Sequence, residues 1–278
     1  MSDIPELSEP LEDAPVLEDP PPPRAQPDRH QATRPTGKSS VVAQATRPRL
    51  TASTEIPAGL PYDPEFAERV PLLQTFRHAM ANAMAFHRDV FEAEGVWHVA
   101  EAGVYRGRSL RALVQTAAAL KAKVKFLGLD SFEGFPRLGE QDLEQATPNA
   151  KYVREHLFSD TTEREVLAYL SDADANNNVT LIKGFFKDTL ASLNDQRYVF
   201  VNIDCDLYDG HIETLEYFYP RMLQGGIIFL DDYFSKEYPM AKSAVDAFMI
   251  DKPELVFSLR YGEAPHALRK GFIVKATG

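Results

Sequence analysis

Two sets of carboxylates stand at the ends of two apolar runs. Tyr198-Val199-Phe200-Val201-Asn202-Ile203 leads into Asp204-Cys205-Asp206, and Gly226-Ile227-Ile228-Phe229-Leu230 leads into Asp231-Asp232. Each run reads as a buried strand, and the ligands of a parallel sheet sit outside the carboxyl ends of its strands. Two neighbouring strands would aim several carboxylates at one crevice. Such charges are tolerable only if they are hydrated or neutralised by a cation. A hard divalent ion with oxygen ligands, Mg²⁺ first, is the economical explanation.

Three further motifs precede these acids. The turn Glu101-Ala102-Gly103-Val104-Tyr105-Arg106-Gly107 follows a short apolar run. Gly103 there lets backbone approach a ligand, and Glu101 could meet a bound ammonium. Asp130 closes the next run, Val124 to Leu129, where a carboxylate can accept both hydrogen bonds of a ribose diol. Each feature alone also suits an ordinary αβ turn or a helix cap; together they favour a nucleoside-bearing ligand. After a third run, Val179 to Ile182, stands Lys183-Gly184-Phe185-Phe186-Lys187-Asp188-Thr189-Leu190. One of its phenylalanines could lie along an adenine face and the other belong to the core.

The elements that must position these groups alternate. Strands are expected at 97–100, 124–129, 179–182, 198–203 and 226–230, with helices between most of them. This is the pattern of a doubly wound, mostly parallel α/β sheet. Runs at 255–259 and 271–275 are joined without a helix and suggest an antiparallel terminal hairpin. Apolar residues at helical spacing over 64–94 predict a helical N-terminal addition that Pro71 divides in two. The polar stretch 131–160 is long enough to be a lid or a binding loop.

Residues 1–61 differ from the rest. They contain no Phe, Trp or Tyr and hold most of the chain's 20 prolines. Residues 1–20 carry seven acids and no base, and 21–50 carry six bases against one acid. Such a stretch cannot bury enough apolar surface to offset its ordering entropy, so it reads as a disordered Pro-rich tail before a domain at 62–278. Its repeat, Gln31 to Pro35 and again Gln44 to Pro48, is too short for a solenoid. No apolar stretch approaches the ~20 residues that span a bilayer, and the acidic N-terminus lacks a signal-peptide core. A single cysteine and a net charge of −11 suit a cytoplasmic protein that binds neither nucleic acid nor membrane.

Taken in order, Glu101 to Gly107, Asp130-Ser131-Phe132-Glu133-Gly134-Phe135-Pro136, Gly184 to Leu190, Asp204-Cys205-Asp206-Leu207-Tyr208 and Asp231-Asp232-Tyr233 resemble the macrocin O-methyltransferase family. These are S-adenosylmethionine- and Mg²⁺-dependent sugar O-methyltransferases of macrolide biosynthesis, and the likeness covers about 62–275. It implies the seven-stranded class I methyltransferase fold, a homo-oligomer, and a small-molecule acceptor, a hydroxyl on a natural product. By the resemblance, Glu101, Ala102, Gly103, Val104 and Tyr105 line the methionine end of the cofactor, Asp130 holds the ribose with Ser131 beside it, and Gly184 and Phe185 border the adenine. Thr75 aligns with a further cofactor contact. Asp204, Asp231 and Asp232 match the metal ligands, Asp204 also bordering the cofactor, and Asp206 becomes a helix cap or a support for them. Cys205 stands where the family has glycine, Gly210-His211 where it has Ser-Thr, and 137–160 has no match.

Methyl transfer to an oxygen needs an aligned, deprotonated hydroxyl, which a chelating divalent ion and a base can provide. The family uses a lid histidine as base, and His156 is the histidine in this lid; His211 and metal-assisted loss of the proton to water are the alternatives. Two other functions fit some of the residues. The Asp204-Cys205-Asp206 pattern also occurs in metal-dependent glycosyltransferases that bind nucleotide sugars, and a non-catalytic cofactor-binding scaffold could use the Pro-rich tail for recruitment.

Overall fold

The computed structural model describes residues 64–146, 153–174, 178–262 and 268–276. The tail read as disordered therefore lies outside the described residues. Elements follow in the order α1 (Pro64–Phe86), α2 (Arg88–Glu94), β1 (Trp97–Ala102), α3 (Arg108–Ala119), β2 (Val124–Asp130), α4 (Glu140–Gln145), α5 (Glu163–Leu170), β3 (Val179–Lys183), α6 (Phe186–Thr189), β4 (Tyr198–Ile203), α7 (Tyr208–Phe218), β5 (Met222–Leu230), α8 (Pro239–Met249), β6 (Val256–Tyr261) and β7 (Leu268–Val274).

The seven strands form one sheet in the order β3-β2-β1-β4-β5-β7-β6. The first five are parallel, and β7 inserts antiparallel between β5 and β6. Every residue of β4 is buried, as expected of a central strand covered on both faces. Alternate side chains serve different layers. Val99 and Phe200 join a core with α1, α3 and α5, whereas Ala100, Val201 and Ile203 join one with α7 and α8.

One expectation fails at Pro71. Helix α1 runs through it without interruption and breaks instead at His87, whose φ of −129° and ψ of 35° leave helical space. Proline fixes φ at a helical value and removes one donor. The cost is outweighed by an apolar stripe, Leu72, Phe76, Ala79, Met80 and Ala83, all buried, with Phe76 edge-on to Phe200 at 5.3 Å.

Beyond α8, buried Glu254 fastens the end of β7. Its carboxylate accepts from Lys275 Nζ at 3.0 Å, from the Ala276 amide at 3.1 Å and from the Tyr219 hydroxyl. Burial opposes the charge, but these three donors win and bring the carboxyl from 4.5 down to about 2. A depressed carboxyl contributes stability above its unfolded value and loses it as pH falls. Glu254→Gln should therefore cost on the order of 2–3 kcal/mol at pH 7, with the gap to wild type closing between pH 4.5 and about 2. Urea unfolding at several pH values measures it; equal stability at pH 7 would refute the role.

Candidate functional site

A cavity of about 490 Å³ opens over the carboxyl ends of β1, β2, β3, β4 and β5. Gly103, Val104, Tyr105, Asp130, Ser131, Gly184, Phe185, Asp204 and Asp231 line it. Thr75, Glu101, Ala102, Asp232 and His156 do not number among its lining residues.

The first corner is built by Asp130. Its Oδ2 accepts from the amides of Val104 and Tyr105 at 2.9 and 2.8 Å, and its Oδ1 from the Phe132 amide at 2.7 Å. The β1–α3 turn and the end of β2 are thus tied together by one carboxylate. A carboxylate has about four acceptor positions, so Asp130 keeps capacity for one further strong bond rather than for both hydroxyls of a diol. Gly103 presses against β4 here, with φ +90° and a Cβ position only 1.7 Å from the Asp204 carbonyl oxygen.

Glu101 lies inside the sheet and not among the cavity's lining residues. It is fully buried, pairs across to Asn202 in the register of β1 and β4, and accepts from Asn202 Nδ2 at 2.7 Å. Burial pushes its carboxyl up to about 7, against the nearby Ser109 hydroxyl and the Asn202 amide. Thr75 is likewise turned inward: its hydroxyl faces the carbonyls of Pro71 and Leu72 in its own helix, at 3.0 and 2.8 Å. Leu72, one turn earlier, lines the cavity instead. Of the phenylalanine pair, both border the cavity, and Phe186 also packs on the core.

The second corner is acidic. One oxygen from each of Asp204, Asp231 and Asp232 lies within 4.8 Å of the others. Two oxygens on opposite sides of a small divalent ion are ~4.2 Å apart, so this all-oxygen set fits Mg²⁺ with little adjustment. Asp206 is not a helix cap. Its φ of 61° turns its amide onto Asp232 Oδ2 at 3.0 Å, and Leu207 occupies the N-cap position of α7. Burial first, then mutual repulsion, holds the carboxyls of Asp204 and Asp206 well above their usual range and Asp232 at about 7. Lys270, unforeseen in the sequence, offsets this crowding with an ion pair to Asp231 Oδ2 at 2.5 Å.

The lid segment contributes two docks. Asp142 of α4, buried, accepts from the Tyr208 amide at 2.8 Å and so satisfies the N-terminus of α7. Further on, Asp160 accepts from the Tyr105 hydroxyl at 2.9 Å and from Arg106 at 2.5 Å, while Phe158 stacks edge-on to Tyr105 and Phe135 at 5.0 and 5.2 Å. Asp160→Ala should loosen this latch, raising amide exchange at Phe135 and His156, which pair with Leu157 and Phe135, roughly two- to five-fold. Unchanged exchange by mass spectrometry would show the contact to be inert.

His156 is not among the residues that line the cavity. Its backbone, at φ 60°, pairs with Phe135, and its exposed ring lies 3.4 Å from the Glu133 carbonyl. His211 is fully buried, its Nδ1 2.9 Å from the Leu207 carbonyl, and burial lowers its imidazole to about 4. No sequence signal marked Asp142, Asp160 or Lys270: each acts through a partner more than 35 residues away.

A seven-stranded sheet in this order, with its cavity across the parallel strand ends, is the class I methyltransferase fold. A family model described as macrocin-O-methyltransferase matches residues 73–253, and the chain belongs to that family. It is similar to the demethyldecarbamoylnovobiocin O-methyltransferase of Streptomyces niveus, 30% identical over 152 residues that cover 53% of this chain and 56% of the relative. Similar too is the 8-demethyl-8-(2,3-dimethoxy-alpha-L-rhamnosyl)-tetracenomycin-C 4'-O-methyltransferase of Streptomyces olivaceus, 30% identical over 147 residues, 51% of this chain and 55% of the relative. The chain thus matches these curated relatives over about half of their length. Among solved structures, the O-methyltransferase NovP shares the fold with a TM-score of 0.58 at 23% identity, covering 76% of this chain and 80% of that one. Among the described residues no helix is long and apolar enough to cross a membrane.

Proposed function

We propose that this protein is an S-adenosylmethionine-dependent O-methyltransferase acting on a hydroxyl of a small natural product, a sugar or another vicinal diol, with Mg²⁺ held by Asp204, Asp231 and Asp232. One observation carries the reading: a single cavity joins the Gly103–Asp130 corner to Asp204 and Asp231 of the three-carboxylate cluster. Gly103, Val104 and Tyr105 would border the methionine end, Asp130 and Ser131 the ribose, and Gly184 and Phe185 the adenine.

A divalent ion at the cluster would supply a Lewis acid able to chelate two adjacent hydroxyls and lower the pKa of one. The chain's own part is positioning. Phe158 and Phe135 border the cavity from the lid, limiting water at the sulfonium, and the Asp204 backbone, bonded to the Ala102 carbonyl at 2.9 Å, fixes the cluster relative to the cofactor corner. With neither histidine lining the cavity, loss of the hydroxyl proton to water is the favoured route. A homo-oligomeric assembly, a cytoplasmic location, no nucleic-acid partner and a domain beginning near residue 62 belong to the same proposal.

Calorimetry with S-adenosylmethionine, S-adenosylhomocysteine and UDP-sugars tests it. Binding of both sulfur compounds and of no UDP-sugar is expected. Binding of neither sulfur compound would overturn the reading, and a UDP-sugar alone would point to glycosyl transfer.

A further inference from the structure

Three ligand-forming carboxylates crowd within 4.8 Å, and Asp206 adds a fourth beside them, its amide on Asp232. In a partly buried place such like charges repel strongly unless cations balance them. Lys270 reaches this cluster from an unusual direction. Strand β7 runs antiparallel to β5, pairing Gly271 with Leu230, so its amino end lies at the edge where the parallel strands deliver their acids. Lys270, immediately before that pair, is only 12% exposed and meets Asp231, itself 26% exposed. The backbone on either side is fixed: a Cβ on Gly271 would fall 2.8 Å from Tyr233 Cβ, so strand and Asp231–Phe234 turn are in close contact.

We infer that Lys270 is the resident counter-ion of the acidic site and a positioning residue for Asp231, holding that carboxylate beside Asp204 and Asp232 whether or not a divalent ion is bound. The inference rests on the reading of the cluster as a divalent-cation site. One lysine and one divalent ion together balance the charge of the three ligands. Without the ion, Lys270 keeps the ligands assembled; with an ion bound, its ammonium on Asp231 Oδ2 would supply the remaining positive charge.

Thermal unfolding of the full chain, in EDTA and in MgCl₂, tests this with K270M, K270R, D231N and the double variant K270M/D231N. In EDTA, K270M should lower the midpoint by roughly 5–10 °C, K270R should recover at least half of the loss, and in the D231N background K270M should cost much less. Mg²⁺ should raise the midpoint of K270M by more than that of wild type, because the ion then supplies charge the lysine no longer provides. Equal losses from K270M in the wild-type and D231N backgrounds would overturn the positioning role. A Mg²⁺ response no larger in K270M than in wild type, in protein that binds Mg²⁺, would overturn the counter-ion role. Should K270M fail to fold, recovery of folding in K270M/D231N supports the inference and its failure refutes it. If calorimetry finds no Mg²⁺ binding to wild type, the cation reading of the site falls, while the Lys270–Asp231 coupling is still decided by the cycle in EDTA.

Discussion

Gly103→Ala should destabilise the protein by about 4 kcal/mol or more, or prevent it from folding. Two independent reasons combine. At φ +90° an L-residue is strained, and the added methyl would stand 1.7 Å from the carbonyl oxygen of Asp204 and 2.6 Å from its carbon. The obstacle is backbone, held by the Asp204 amide on the Ala102 carbonyl, so it cannot rotate away. Relief requires prising β1 from β4 at the edge that carries the site. Gly95 gives the control: its φ is +73° with nothing within 4 Å, and alanine there should cost only about 1 kcal/mol. Urea denaturation of both variants compares them, and a Gly103→Ala protein within 1 kcal/mol of wild type would contradict the close approach.

Asp231→Asn should lower methyl transfer about 100-fold or more while changing the affinity for S-adenosylmethionine by no more than about threefold. The asymmetry follows from the two corners of the cavity. Asp231 follows β5 directly and belongs to the carboxylate cluster, whereas the proposed cofactor groups hang on Asp130 and the β1–α3 turn. The neutral amide is nearly isosteric, so the loss is of a charged ligand rather than of packing. EDTA should produce the same pattern in wild type. Turnover within a few-fold of wild type, measured alongside calorimetry of cofactor binding, would remove Asp231 from the reaction.

The residues that converge were readable where the chain itself does the converging. Asp204, Asp231 and Asp130 follow apolar runs directly, and a parallel sheet brings such ends to one edge whatever the loops do. The strand expected at 97–100 runs on, since β1 extends through Ala102, so Glu101 stands inside the sheet rather than just beyond it. Pro71 misled because propensity is local, while the stripe from Leu72 to Ala83 is satisfied only by a sheet far along the chain. At His156 the residue type alone says nothing about which way a left-handed turn, φ 60°, points its ring. Asp142 and Lys270 were beyond reach for another reason. Their effect arises at the N-terminus of α7 and at the end of β5, and no periodicity in 137–160 or 268–274 encodes those partners.

The insertion of β7 between β5 and β6 also sets an order of assembly. Among the described residues strand β6 pairs with β7 alone, so on a growing polypeptide it waits for that partner until β7 has left the ribosome. Lys270 arrives in that same strand, 39 residues after the aspartate it neutralises. Until then the nascent chain carries an open strand edge and a cluster of uncompensated acids together. Docking of one late strand answers both, so the carboxylate cluster and the sheet are completed in a single step.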